Sequence, residues 1–247
     1  MSAAKTYLDL VNDVLIELRE PIVSTVTFNS YSTLIGKWIN DAKRRVEGSW
    51  DWQLLNHLVT FDLVYGQTSY DLTALDPRIN GRARIRKNPQ NVARALAFDV
   101  TYPTPGQLFH MPADWVHQQQ DKLPIPVTET RPIYFGLERY NDGTKTGIRC
   151  ILWETPVQDM NPDNPQTPRT WNLYFCAPQD DLVNDTDAIF VPWEPVEKIA
   201  LDIALNERGE ELGEPGTTIE QRVQQHLSDA IGVDSLEQEH NTVFFPD

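Results

Sequence analysis

Five histidines, two cysteines and a surplus of carboxylates are the residues with which this chain could do chemistry, and their spacing decides what they can do. His57, His110, His117, His226 and His240 are scattered, and the step from His110 to His117 spans a proline. Zinc needs three or four converging ligands, which neither that step nor the isolated Cys150 and Cys176 supplies. Glu207, Glu210 and Glu211 gather where a helical pattern ends. Acid–base catalysis needs one carboxylate with a raised pKa in a cleft, and a solvated helix end explains these three better. The acids of 180–187 offer oxygens without the spacing of a calcium loop. Gly143-Thr144-Lys145-Thr146 lacks the earlier glycine of a phosphate loop and reads as an Asp142-Gly143 turn. No Gly-x-Ser-x-Gly and no His-Glu-x-x-His occurs. The expectation is a protein that is not an enzyme and has no catalytic residue, metal or cofactor. A hydrolase with dispersed carboxylates is kept as an alternative.

The basic residues concentrate in Lys43-Arg44-Arg45 and in Arg82, Arg84, Arg86 and Lys87. The triplet reads as the solvated face of a helix. Alternation in "GRARIR" puts three arginines on one face of an extended segment, where they repel one another and call for a subunit or an acidic partner. A nucleic-acid-binding module using 43–45 and 82–94 is the second alternative. Trp50 and Trp52, two residues apart, cannot share a helical face. With Trp38 they read as packing anchors.

Charge weighs against a conventional DNA binder. Of the net charge of −15, residues 180–247 hold −14 (17 acids, 3 bases) and residues 1–179 hold −1 (19 acids, 18 bases). Such a field repels phosphate and attracts basic surfaces. The N-terminus has no apolar core of a secretory signal, and no stretch approaches the ~18 apolar residues of a membrane span. The two cysteines are too few for a disulfide framework, which suits assembly in a reduced cytoplasm.

These residues need elements to hold them. Thr6 with Asp9 makes a capping box, and Leu8, Val11, Leu15 and Leu18 carry a helix over about 7–19. A second helix runs over about 31–52 on Ile35, Ile39, Ala42 and Val46. From His57 the period falls to two. "LVTFDLVYG" and "QTSYDL" read as strands joined at Gly66, "ARALAFDV" pairs with "GRARIR" across "KNPQN", "GIRCILWE" and "WNLYFCAP" are two more strands, and "DAIFVP" is a short last one. Helical spacing returns at Val196, Ile199, Ala200, Ile203 and Ala204, and again at Ile219, Val223, Leu227, Ala230 and Ile231. Neither terminal helix pair can bury its stripe alone. The expected fold is α+β: a four-helix bundle of the two terminal pairs with an inserted β-rich domain. The boundaries are 1–55, a loop-rich 56–194, 195–240 and an apolar tail 241–247.

In this order, "TYLDLVNDVLIELRE", "LIGKWINDAKRRVEGSWDWQLL", "WNLYFCAP" and "ALNERGEELG…AIGVDSLEQEH" resemble tailed-phage head-to-tail adaptor proteins. The likeness covers most of the chain and is most specific over Asn40–Trp52 and Glu207–Glu210. It implies a virion neck protein assembled in the host cytoplasm. Its copies form a ring, typically of twelve, under the portal, extend the DNA channel without binding the genome specifically, and dock a tail or nozzle protein. It also implies that the tail, with Val243, Phe244 and Phe245, reaches the portal protein.

Overall fold

The computed structural model describes residues 5–88, 91–100, 106–122, 132–144, 146–154, 160–161, 164–209 and 216–240. The chain forms two compact units, Met1–Leu55 with Gln179–Asp247, and Asn56–Pro178. The chain therefore returns to the helical unit at Gln179, earlier than the boundary at 195 expected from the sequence.

The helical unit contains α1 (Tyr7–Glu17) and α2 (Ser30–Ser49). The capping box forms: the Asp9 N–H donates to Thr6 Oγ1 and the Thr6 N–H to the Asp9 carboxylate. Asn29 and Ser32 cap α2 in the same reciprocal way. The apolar stripes are buried at Leu10, Val11, Val14 and Leu15 on α1 and at Ile35, Ile39, Ala42 and Val46 on α2.

The β unit opens with β1 (Asn56–Asp62), β2 (Ser69–Asp71), α3 (Leu72–Leu75), β3 (Arg84–Ile85), β4 (Lys87–Asn88), β5 (Asn91–Ala95) and β6 (Ala97–Asp99). It continues through β7 (Gly106–Gln107), β8 (Phe109–His110), α4 (Ala113–Lys122), β9 (Tyr134–Asn141), β10 (Thr146–Trp153), β11 (Met160–Asn161), β12 (Asn164–Pro168) and β13 (Thr170–Cys176). One sheet runs β1-β13-β6-β7, with β3 also on β13, and another runs β2-β10-β9-β8. Val59, Phe61, Trp171, Leu173 and Phe175 of the first share a core with Tyr70, Phe135, Ile148, Cys150 and Leu152 of the second. Phe61 meets Tyr70 with ring centroids 4.9 Å apart, and Phe135 meets Trp171 at 6.3 Å. The segments on either side of Gly66 are thus not a hairpin: β1 pairs with β13 and β2 with β10, because Phe61 and Tyr70 face one core from opposite sheets.

The second sheet carries α4 on its other face. Gly136 lets it approach: a Cβ there would lie 3.1 Å from Ala113 Cα and from Val116 Cγ2. Gly136→Ala should therefore lower the unfolding free energy of the β unit by about 1–3 kcal/mol in urea; unchanged stability would mean that α4 is not seated there.

The chain closes with α5 (Trp193–Arg208) and α6 (Gly216–His240) in the helical unit. Gly209 ends α5 in the left-handed conformation, φ 65°. The four-helix bundle is not formed. α1, α2 and α5 pack on one another, while α6 leans on α5. Val223, Leu227, Ala230 and Ile231 of α6 are only partly covered, and two further helices, α3 and α4, are interleaved with the strands. Residues 179–192 belong to the same unit and bury Leu182, Ile189 and Val191. "DAIFVP" within that segment is no strand; Ala188 makes a single bridge to Thr6.

Candidate functional site

A dense polar cluster lies on one edge of α2, at Asn40, Lys43, Arg44 and Glu47. Helical spacing places these residues on neighbouring turns. Lys43, read from the sequence as solvated, is fully buried with Glu47. Its Nζ lies 3.1 Å from Glu47 Oε1 and donates to the Gln179 and Asp180 carbonyls at 2.8 and 3.0 Å. Three acceptors thus meet the three N–H bonds of one ammonium. Glu47 Oε1 also accepts the Gln179 N–H at 3.1 Å. Asn40 reads the backbone of Leu182 in both directions, donating to its carbonyl at 3.0 Å and accepting its N–H at 2.8 Å. Arg44 pairs with Asp41 and Asp181. Gln179 in turn donates to the Ala188 carbonyl and accepts the Phe190 N–H. The cluster is a clamp on residues 179–190, and its buried cation belongs to the fold.

Two further latches close the unit. Arg208 donates to Tyr31 Oη at 2.8 Å and pairs with Glu20 at 2.7 Å. Lys5 pairs with Asp13 and Glu197 and sits 3.7 Å from the Trp193 ring centroid. Tyr7, beside Asn40, has its phenol pushed up to about 12 by burial and by Asp181 and Asp185.

The tryptophans divide as their spacing requires. Trp52 is buried and donates through Nε1 to the Val46 carbonyl at 2.7 Å. Trp50 is half-buried and donates to Asp234 of α6 at 2.9 Å, while Asp234 also accepts the Gln53 N–H. Trp38 is buried and meets the Tyr31 ring edge-on.

In the β unit Arg82 lies in a turn, Arg84 is in the two-residue β3, the Arg86 N–H donates to the Tyr174 carbonyl in continuation of the β3–β13 register, and Lys87 begins β4. Arg84 and Arg86 thus keep the expected alternation, while Arg82 precedes the strand. The 103–169 segment, expected to be mainly loop, contains α4 and β9 as well as β10. On the outer face of the second sheet, Glu138 approaches His117 and Arg149, Arg149 lies over the Tyr140 ring, and Tyr140 Oη donates to Asp71 at 2.8 Å. His57 contacts Asp76. Burial pushes the Asp76 carboxyl up, but His57 and the Arg78 N–H outweigh it and leave it below its ordinary 3.8. A depressed carboxyl contributes stability above its unfolded pKa and loses it as pH falls through the folded value. Between about pH 6 and pH 3, native protein should thus lose more stability than Asp76→Asn in parallel denaturant titrations; equal losses would refute the pairing. Neither cysteine is poised for reaction, since both are buried and burial pushes the Cys150 thiol up.

Among the described residues no group of three His, Cys, Asp or Glu side chains could hold a metal ion, and no helix is long and apolar enough to cross a membrane. Val243, Phe244 and Phe245 lie outside the described residues. No protein-family model and no curated protein sequence matches the chain. Charge distinguishes the two units. The helical unit holds 24 acids and 9 bases, net −15, and the β unit 12 of each, net zero. The clamp had a signal in the sequence, the i,i+4 spacing of Lys43 and Glu47 that favours an ion pair. His57–Asp76 had none.

Proposed function

We propose that this chain is a head-to-tail adaptor of a tailed phage: a subunit of a ring beneath the portal that continues the genome channel and docks the tail or nozzle protein. The observation that supports this most is the Asn40–Trp52 segment, where the resemblance is most specific. In that segment Asn40, Lys43 and Glu47 clamp residues 179–182, and Trp50 and Trp52 tie the end of α2 to α6 and to itself. Arg208, in the other specific segment, latches α5 to Tyr31 and Glu20. Residues that build a rigid subunit are the ones an assembly protein has reason to keep. A net charge of −15 on the helical unit suits a channel wall past which DNA slides, since phosphate binding needs cations. Partner docking belongs in this proposal to Val243, Phe244 and Phe245 at the portal and to Arg82, Arg84, Arg86 and Lys87 at a neighbouring subunit.

The test is co-sedimentation of the full chain with portal rings encoded by the same genome. The chain should travel with the rings and not with duplex DNA at physiological salt, and removal of residues 241–247 should release it while leaving its melting curve unchanged. Tight, steeply salt-dependent DNA binding without portal association would sink the proposal.

A further inference from the structure

β1 is the outermost strand of its sheet: β13 lies on one side, and among the described residues no strand lies on the other. The Leu63 N–H donates to the Arg169 carbonyl at 2.8 Å, which extends the β1–β13 register by one pair and fixes its parity. Antiparallel neighbours alternate between pairs that exchange two hydrogen bonds and pairs that exchange none. His57, Val59 and Phe61 therefore turn their N–H and C=O groups to β13, and Leu58, Thr60 and Asp62 turn theirs to the open side. Bonds on the far side of β13 agree: the Val100 N–H donates to the Thr170 carbonyl and the Tyr174 N–H to the Leu96 carbonyl.

Among the described residues, Asp62 is the one acidic charge on this edge, and most of the other usual protections are missing. β1 contains no proline, no lysine and no break in register, and Leu58, Thr60 and Asp62 are all exposed, Leu58 by 42%. α3 also touches β1, and the His57–Asp76 contact flanks the start of the strand.

We infer that this edge takes up an extended peptide segment of another protein by antiparallel strand addition, with an apolar side chain beside Leu58 and a basic one beside Asp62. Leu58 is the end of an apolar row, since it pairs with Tyr174, whose ring meets Phe98 at 6.1 Å, and a side chain on the added strand extends that row. Asp62 accepts from Thr170 Oγ1 at 2.6 Å, and no cation among the described residues pairs with it. The backbone supplies affinity and these two positions supply selectivity. The same strand of a second copy fits poorly, because antiparallel pairing about Thr60 would set each Asp62 against a Leu58. This inference is independent of the adaptor proposal.

The test is amide hydrogen exchange on the full chain with the probe acetyl-Lys-Val-Thr-Val-Leu-amide, in which Lys falls opposite Asp62 and Leu opposite Leu58. Exchange at Leu58, Thr60 and Asp62 should slow about tenfold or more, with no change at His57, Val59 or Phe61. A probe N-methylated at its Thr and Leu amides should have no effect. Thr60→Pro, which removes an outward N–H and leaves the β13 ladder intact, should abolish the slowing; if that variant fails to fold, the N-methylated probe carries the control. Equal slowing by both probes, or none by either, would overturn the inference. So would slow exchange at the three amides without probe: dependent on protein concentration, it would assign the edge to a second copy; independent of it, to the chain itself.

Discussion

Lys43→Met should destabilise the helical unit by about 3–5 kcal/mol in denaturant unfolding, a large fraction of the stability of a single domain. The substitution keeps length and apolar bulk but leaves Glu47 buried without its cation and the Gln179 and Asp180 carbonyls without their donor. Removing the second charge as well, in Lys43→Met with Glu47→Gln, should recover about 1–3 kcal/mol, because the largest cost of the single change is an uncompensated buried charge. Strictly additive losses would show that the two groups do not interact in solution. A Lys43→Met variant as stable as the native protein would mean that the lysine is solvated, as its place in a basic triplet suggests.

Trp52→Ala should cost about 3–5 kcal/mol, and Trp50→Ala about 1 kcal/mol. Trp52 is 1% exposed and its indole N–H has an internal acceptor, so truncation opens a cavity and removes one of the two donors to the Val46 carbonyl, the other being Ser49 Oγ. Trp50 is half-buried, and its loss removes one bond to Asp234 and leaves the centre of the unit intact. Thermal and urea unfolding of the two variants, measured side by side, check the order. A reversed order would place Trp50, not Trp52, at the centre of the packing.

Local signals were read well where one segment decides the outcome. Thr6 and Asp9 cap α1, and Gly147–Trp153 and Trp171–Cys176 lie in strands, because capping and two-residue alternation are properties of a few neighbours. What failed depends on distant partners. Gly66 favours a hairpin locally, yet Val59 and Phe61 are held by Leu173 and Trp171, more than a hundred residues away. α4 has a single fully buried residue, Val116, so it offers no apolar stripe to find. The apolar positions of α6 predict a fourth bundle helix, but they are only partly covered, whereas Leu182, Ile189 and Val191, in a segment without periodicity, are buried. The candidate site shows the same division. The separation of Trp50 and Trp52 follows from their spacing, whereas the burial of Lys43 depends on two carbonyls 136 and 137 residues along the chain.

Cryo-electron microscopy of intact particles of the phage that the adaptor proposal requires to encode this chain tests the central claim most directly. The adaptor proposal requires a ring of copies between the capsid portal and the tail, with density that fits the helical and β units separately and the β sandwich recognisable by its sheets. Particles in which the chain is absent from the neck, or in which purified virions lack it altogether, would contradict the proposal.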